Sequence, residues 1–80
     1  MTYIATFHTH LGAMNFRNIL LSLGDHTAVM MPVPRVLSSS CGTCVRFQRD
    51  FDPGRMYDED LEKVVRVLGN GYEVIFQNED

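Results

Sequence analysis

Short runs of apolar residues recur along this chain, and four of them have the composition of strands. Each run is rich in β-branched, aromatic or other apolar side chains, which fit a pleated surface. The runs lie at residues 3–8, 26–31, 44–48 and 72–76. The first is apolar on both sides for most of its length, so it predicts a central strand. Pro32 and Pro34 directly follow the second run, which predicts a sheet edge because proline cannot donate to a ladder.

In two other segments the apolar residues recur every three to four positions, the spacing that is typical of amphipathic helices. In residues 11–23 the apolar side chains recur every three or four positions, after Thr9 as a candidate N-cap and before Gly24 as a helix end. The second segment, residues 58–68, begins with the candidate N-cap Asp58. Its apolar side chains follow the spacing i, i+3, i+4, i+7 and are Leu61, Val64, Val65 and Leu68. We expect this helix to stop at residues 69–71.

The resulting order, β-α-β-β-α-β, predicts an α+β fold of the ferredoxin-like type over residues 1–80 as a single domain. In that fold a four-stranded antiparallel sheet carries two helices on one face. Strands one and three are expected at the centre and strands two and four at the edges. Strands one and two then run in the same direction, so their ends meet at one edge of the sheet, and we expect residues 69–71 to reach it as well.

Charge and composition exclude several classes of function. The formal net charge is −3 over 80 residues, which predicts no binding to nucleic acid. The longest apolar runs are far shorter than the roughly 20 residues of a membrane span, and the first residues lack the features of a signal peptide. We therefore expect a cytoplasmic protein with no membrane partner. In a reducing cytosol two close cysteines indicate catalysis, redox chemistry or metal binding rather than a structural disulfide.

Reactive side chains concentrate in residues 32–44, between strands two and three. This stretch holds both cysteines, three consecutive serines and an arginine. The topology places His8, His10 and the start of the first helix beside it. A helix N-terminus can bind an anion or stabilise a thiolate, and Arg35 would add positive charge. The candidate ligand- and anion-binding residues are therefore Arg35, Ser39, Ser40, Gly42, His8 and His10.

The two cysteines have the spacing C-x-x-C, which suits a redox pair or half of a zinc site. We interpret Cys41, in a polar loop, as a functional thiol, and Cys44 either as its resolving partner or as a small buried residue at a strand start. No cofactor is required, but Cys41 and Cys44 could hold zinc together with His8 and His10 or with a second subunit. Each histidine also has a simpler interpretation as a surface residue.

The segments Phe7-His8-Thr9-His10, Pro32-Val33-Pro34-Arg35 and Ser38-Ser39-Ser40-Cys41-Gly42 resemble a family of small bacterial selenium/sulfur carrier-like proteins. The resemblance covers nearly the whole chain. It implies that Cys41 carries sulfur or selenium and that the partners are donor and acceptor proteins. It also indicates a carrier or binding protein rather than a stand-alone enzyme. Cys44 departs from it, since the resemblance implies an apolar residue there.

Two other classes of function compete with carriage. The Cys41/Cys44 pair could serve a thiol redox protein, or a metal-binding or interaction module in which two copies form a homodimer. Ferredoxin-like domains also bind small regulatory ligands at their edges, which is an analogy of fold alone.

Overall fold

Five strands and two helices make up the described part of the chain, which in this computed structural model comprises residues 1–37 and 39–78. In chain order the elements are β1 (Tyr3–Phe7), α1 (His10–Ser22), β2 (Val29–Pro32), β3 (Thr43–Phe47), α2 (Pro53–Met56), β4 (Leu61–Leu68) and β5 (Gly71–Gln77). The strands form one sheet in the order β2-β3-β1-β4-β5, and every neighbouring pair is antiparallel. The predicted α+β class is confirmed. The prediction of four strands is wrong.

The first three strands and the first helix are confirmed, with shifts of a few residues at their ends. β1 and β3 are interior strands, and β2 lies at one edge of the sheet as its prolines predicted. β5, predicted as the fourth strand, lies at the other edge. Because β1 and β2 both run antiparallel to β3, they point in the same direction.

The predicted second helix over residues 58–68 is wrong, because most of this segment is strand β4. β4 pairs with β1 on one side and β5 on the other, so it needs apolar side chains on both faces. Val64 and Val65 are adjacent and both fully buried. Because they lie on opposite faces of the sheet, two neighbouring positions are both apolar, and together with Leu61 and Leu68 they give the i, i+3, i+4, i+7 spacing of a helix.

The residues expected to end that helix instead form the turn of a hairpin. Leu68 pairs with Gly71, which leaves Gly69 and Asn70 as the connection between β4 and β5. Since Leu61 pairs with Phe7, at the end of β1, this turn lies at the far end of the sheet. The expectation that residues 69–71 lie beside His8 is therefore wrong.

Helix α1 is capped as the sequence predicted, but its first turn also has an unexpected neighbour. The Thr9 hydroxyl accepts a hydrogen bond from the Gly12 N–H at 3.0 Å and donates to Asp60 Oδ2 at 2.9 Å. A Cβ atom added to Gly12 would lie 2.5 Å from the Cβ of Asp60. Gly12 thus permits close approach of α1 to the segment before β4.

The second helix of the structure, α2, is only one turn long and lies between β3 and β4. Asp52 caps it by accepting from the Gly54 N–H at 3.0 Å, and Pro53 opens it, the position where proline is favoured. The expected layer of two long helices is therefore absent from the described residues, and α1 is the main cover of one face.

The sheet has a different buried cluster on each face. The helix-side cluster, which packs beneath α1, comprises Tyr3, Ala5, Phe7, Ala13, Phe16, Leu20, Val45, Phe47, Met56, Leu61 and Val64. Successive strand residues point to opposite faces, so Ile4 lies on the other side of β1. It belongs to the open-face cluster of Ile4, Leu37, Cys44 and Val65. No helix covers that face among the described residues, and Leu37 from the β2–β3 loop packs there instead.

Candidate functional site

Residues 33–37 and 39–42, the described part of the connection between β2 and β3 and hereafter the 33–42 loop, begin as a continuation of the hairpin and then fold over the open face. Pro32 pairs with Thr43, and the Val33 N–H donates to the Gly42 carbonyl at 3.1 Å. Leu37 then turns inward and is only 6% exposed. The loop therefore lies across the sheet rather than extending into solvent.

The predicted meeting of this loop with the end of β1 is confirmed. The Ser39 hydroxyl lies 2.8 Å from the carbonyl oxygen of Phe7. On the other side of the loop, His10 Nδ1 lies 3.4 Å from the Thr43 hydroxyl. His10 therefore lies beside the residue that follows the 33–42 loop, and His8 directly follows the strand that Ser39 contacts.

Glu62, on β4, accepts hydrogen bonds from the 33–42 loop and so holds it against the sheet. Its Oε1 atom lies 2.9 Å from the Ser39 hydroxyl and 3.4 Å from the Ser40 N–H. Its Oε2 atom accepts from the Ser40 hydroxyl at 3.0 Å and lies 3.4 Å from His8 Nδ1. One carboxylate therefore ties together two loop serines and a histidine that the sequence had proposed as separate binding residues.

Lys63, the next residue of β4, fixes an earlier part of the same loop. Its ammonium group donates to the Leu37 carbonyl at 2.8 Å. Sequence reasoning missed both Glu62 and Lys63 because it assigned residues 58–68 to a helix. The cluster of Val64, Val65 and Val67 was the available signal for a strand, and a strand would have brought both polar residues beside β1.

Cys41 is a free thiol of intermediate exposure in this loop. Its Sγ atom donates to the Thr43 carbonyl at 3.4 Å, and its side chain packs against the helix-side cluster. Gly42, which follows, has φ +74°, and a Cβ atom added there would meet no heavy atom within 4 Å. The backbone at Gly42 is therefore in the left-handed region that favours glycine, with open space beside it.

Cys44 has a very different environment from Cys41. It is fully buried in the open-face cluster, and its Sγ atom lies 3.7 Å from the Pro32 carbonyl. Burial, with a smaller contribution from the nearby Cys41, raises the pKa of the Cys44 thiol to about 11. The two cysteines form no disulfide, and they pack against clusters on opposite faces of the sheet.

Two groups expected to provide positive potential around Cys41 have other surroundings. The N-terminus of α1 already has the carboxylate of Asp60 beside its cap residue Thr9. Arg35 is exposed and forms no ion pair with a carboxylate of the described residues. Among these residues, the direct polar contact of the Cys41 thiol is the Thr43 carbonyl.

Residues 1–37 and 39–78 contain no preformed metal site within one chain. There, no group of three or more His, Cys, Asp and Glu side chains is placed to hold a metal ion. His8 is engaged with Glu62 instead. A zinc site shared between two copies stays a prediction. No helix in the described part of the chain is long and apolar enough to cross a membrane.

Comparison with known protein families matches residues 2–52 to the family described as “Putative Se/S carrier protein-like”. The match spans more than half of the 80 residues and includes β1, α1, β2, the 33–42 loop and β3. It ends before β4, so Glu62 and Lys63 lie outside it. No curated protein and no solved structure matches the chain.

Proposed function

The chain belongs to this selenium/sulfur carrier-like family, and we propose on that basis that Cys41 carries a sulfur or selenium atom as a covalent adduct. The observation that carries the proposal is the state of Cys41. It is a free, partly exposed thiol within the family-matched segment. The loop that presents it is held to β1 through Ser39 and to β4 through Glu62.

The loading step is a transfer between two thiols, and its donor is a protein or small molecule that bears a persulfide. The Cys41 thiol releases its proton to solvent, and its thiolate attacks the outer sulfur of the donor persulfide. A sulfur–sulfur bond forms on Cys41 as the donor's own sulfur–sulfur bond breaks. The electron pair of the broken bond leaves with the donor as a thiolate. Unloading is the same exchange, with an acceptor thiolate attacking the outer sulfur on Cys41, and selenium follows the same scheme.

The surroundings of Cys41 suit an adduct larger than a thiol. Deprotonation removes the hydrogen bond from Cys41 to the Thr43 carbonyl and so frees the sulfur to move. Open space lies beside Gly42. In this proposal the N–H of Gly42 and the nearby His10 provide polar contacts for a charged adduct, while the exposed Arg35 meets the donor or acceptor. The hydroxyl of Ser40, named as a binding group from the sequence, donates to Glu62 instead.

The carrier hypothesis assigns the chemistry to Cys41 alone, and the redox alternative assigns it to both cysteines. A thiol redox cycle requires a bond between Cys41 and Cys44. Full burial of Cys44 and its raised pKa disfavour the thiolate that such a cycle needs. The resolving role of Cys44 therefore receives no support from its environment, which suits a buried packing residue.

Mass spectrometry after incubation with a cysteine desulfurase and cysteine tests the proposal. We expect a mass increase of one sulfur atom, located on Cys41 by peptide mapping and removed by a reducing agent. The Cys41→Ser variant should gain nothing, whereas the matched Cys44→Ala variant should load as the wild type does. Folded wild-type protein that acquires no sulfur would contradict the carrier role. Loss of loading in Cys44→Ala, with the fold intact, would instead favour the redox pair.

A further inference from the structure

A polar cavity of about 320 Å³ lies on the open face, between the β1–β4 strand pair and the 33–42 loop. Thr6 and Lys63 form its floor and are paired across β1 and β4. The other residues that line it are His8, Ser39, Ser40, Glu62, Gln77 and Asn78. Thr6 lies between Ala5 and Phe7 of the helix-side cluster, so its side chain points to the opposite face. The cavity is thus separate from the packing site of Cys41.

Thr6 is the unusual member of this cavity. Its side chain is fully buried, yet its Oγ1 atom has no hydrogen-bond partner among the described residues. A buried hydroxyl without a partner is costly, and valine would fit the same volume in a strand without that cost. A polar group in such a position indicates that something outside the chain completes its hydrogen bonding.

Two side chains that line the cavity, Thr6 and Lys63, have hydrogen-bond donors that no described residue uses. Glu62 already accepts from Ser39, from the Ser40 N–H and hydroxyl, and lies against His8, so both of its oxygens are engaged. Lys63 has three N–H bonds, of which the contact with the Leu37 carbonyl uses one. No carboxylate of the described residues pairs with the Lys63 ammonium.

We propose that this cavity binds a small anion, held between the ammonium group of Lys63 and the hydroxyl of Thr6. A carboxylate and a tetrahedral oxyanion share the chemistry that these donors recognise, because each presents acceptor oxygens with a full negative charge. The volume accommodates either one. The site is independent of the thiol chemistry proposed for Cys41, because it lies on the other face of the sheet.

NMR titration of the intact protein distinguishes the two kinds of anion, with acetate as the carboxylate probe and phosphate and sulfate as the oxyanion probes. Binding should appear as saturable shifts of the Thr6, Ser40 and Lys63 amide signals. We expect the Thr6→Val and Lys63→Gln variants to lose affinity by about tenfold or more. Thr6→Val removes a hydrogen bond to a charged group, and Lys63→Gln removes the positive charge that pairs with the anion. Thr6→Ser, which keeps a hydroxyl, should bind as the wild type does.

Thermal unfolding of Thr6→Val separates this role from a structural one. Because valine removes an unpaired buried hydroxyl, the variant should fold and unfold at a temperature no lower than that of the wild type without added anion. Anion should then raise the unfolding temperature of the wild type but not that of the variant. Arg46→Gln, which changes an exposed residue outside the cavity, is the matched control for lost charge and should bind normally.

Two results would overturn the proposal: no saturable shift with any of the three anions, or equal affinity in the wild type and Thr6→Val. Cys41→Ser should bind anion unchanged. The carrier role and the anion site can therefore fail separately.

Discussion

The Oε2 atom of Glu62 lies 3.0 Å from the hydroxyl oxygen of Ser40, so strand β4 is hydrogen-bonded to the residue that immediately precedes Cys41. Residues 2–52 match the family, which places the loop inside the matched segment and Glu62 outside it. The matched segment supplies the thiol and its loop, while the β4–β5 hairpin supplies the carboxylate and ammonium that hold that loop against the sheet.

We expect Glu62→Gln to loosen the 33–42 loop while leaving the sheet intact. An amide has one acceptor oxygen, so it cannot accept from both Ser39 and Ser40 as the two carboxylate oxygens do, and hydrogen bonds to a charged group contribute about 1.5–3 kcal/mol. Urea unfolding should show a loss of about 1–2 kcal/mol, and hydrogen exchange at the Ser40 amide should accelerate. The exposed Glu59 offers the control Glu59→Gln, which should change neither quantity. An unchanged exchange rate of the Ser40 amide in Glu62→Gln would contradict the role of Glu62 in holding the 33–42 loop.

Gly12→Ala should destabilise the protein through a backbone approach that the sequence does not reveal. The new Cβ would lie 2.5 Å from the Cβ of Asp60, so α1 or the segment before β4 must shift. Overpacking of this kind costs about 1–3 kcal/mol, although alanine favours the helix by about 1 kcal/mol. Chemical denaturation should give a net loss. Gly69→Ala, where open space surrounds the added Cβ, is the matched control and should cost less.

Asp25 links the end of α1 to the end of β3, and it should make stability depend on acid pH. Burial raises the pKa of Asp25, but hydrogen bonds from Thr27, Arg49 and Gln48 outweigh it, so the net pKa lies below 3.8. Because the folded state has the lower pKa, the stabilisation is present above about pH 4 and decreases as pH falls through the folded-state pKa.

Asp25→Asn should therefore cost about 1–3 kcal/mol at pH 7 and flatten the acid side of the stability profile. Urea unfolding between pH 7 and pH 3 measures both effects. Asp52→Asn is the control, because Asp52 is an exposed helix cap. An acid profile of Asp25→Asn that parallels the wild type would show that other carboxylates produce the slope.

The sequence predicted most of the first half of the fold. The prolines after β2, the Thr9 cap and the periodicity of α1 each depend on neighbouring residues alone, and local rules describe them well. β4 could not be assigned this way, since burial on both faces abolishes the alternation that identifies a strand. The Gly69-Asn70 pair, which forms the two-residue turn between β4 and β5 and is a recognised hairpin signal, and the valines of both strands were the features to weigh more heavily.

The site was predictable to the same extent. His8, Ser39 and Ser40 were expected to lie near one another because strand direction determines which ends meet. The role of Glu62 as their common partner depends on the position of β4, so the error in β4 concealed it. Cys41 and Cys44 lie on different faces of the sheet because β3 begins at Thr43, which leaves Cys41 in the loop and places Cys44 in the strand. The C-x-x-C spacing alone does not indicate where the strand begins.

Cys44 should make the protein lose stability at alkaline pH, and it should resist alkylation while folded. Burial raises its pKa from 9.0 to about 11, so the unfolded chain releases the thiol proton first. The stabilisation is complete below pH 9.0 and is lost as pH rises towards 11. Cys44→Ala should flatten this decline in urea unfolding, whereas Cys41→Ala, at the partly exposed thiol, should preserve it.

Iodoacetamide at pH 8 should modify Cys41 alone in the folded wild type and both cysteines in urea. Equal labelling of the two thiols in the folded protein would show that Cys44 is accessible and would return it to consideration as a reactive partner of Cys41.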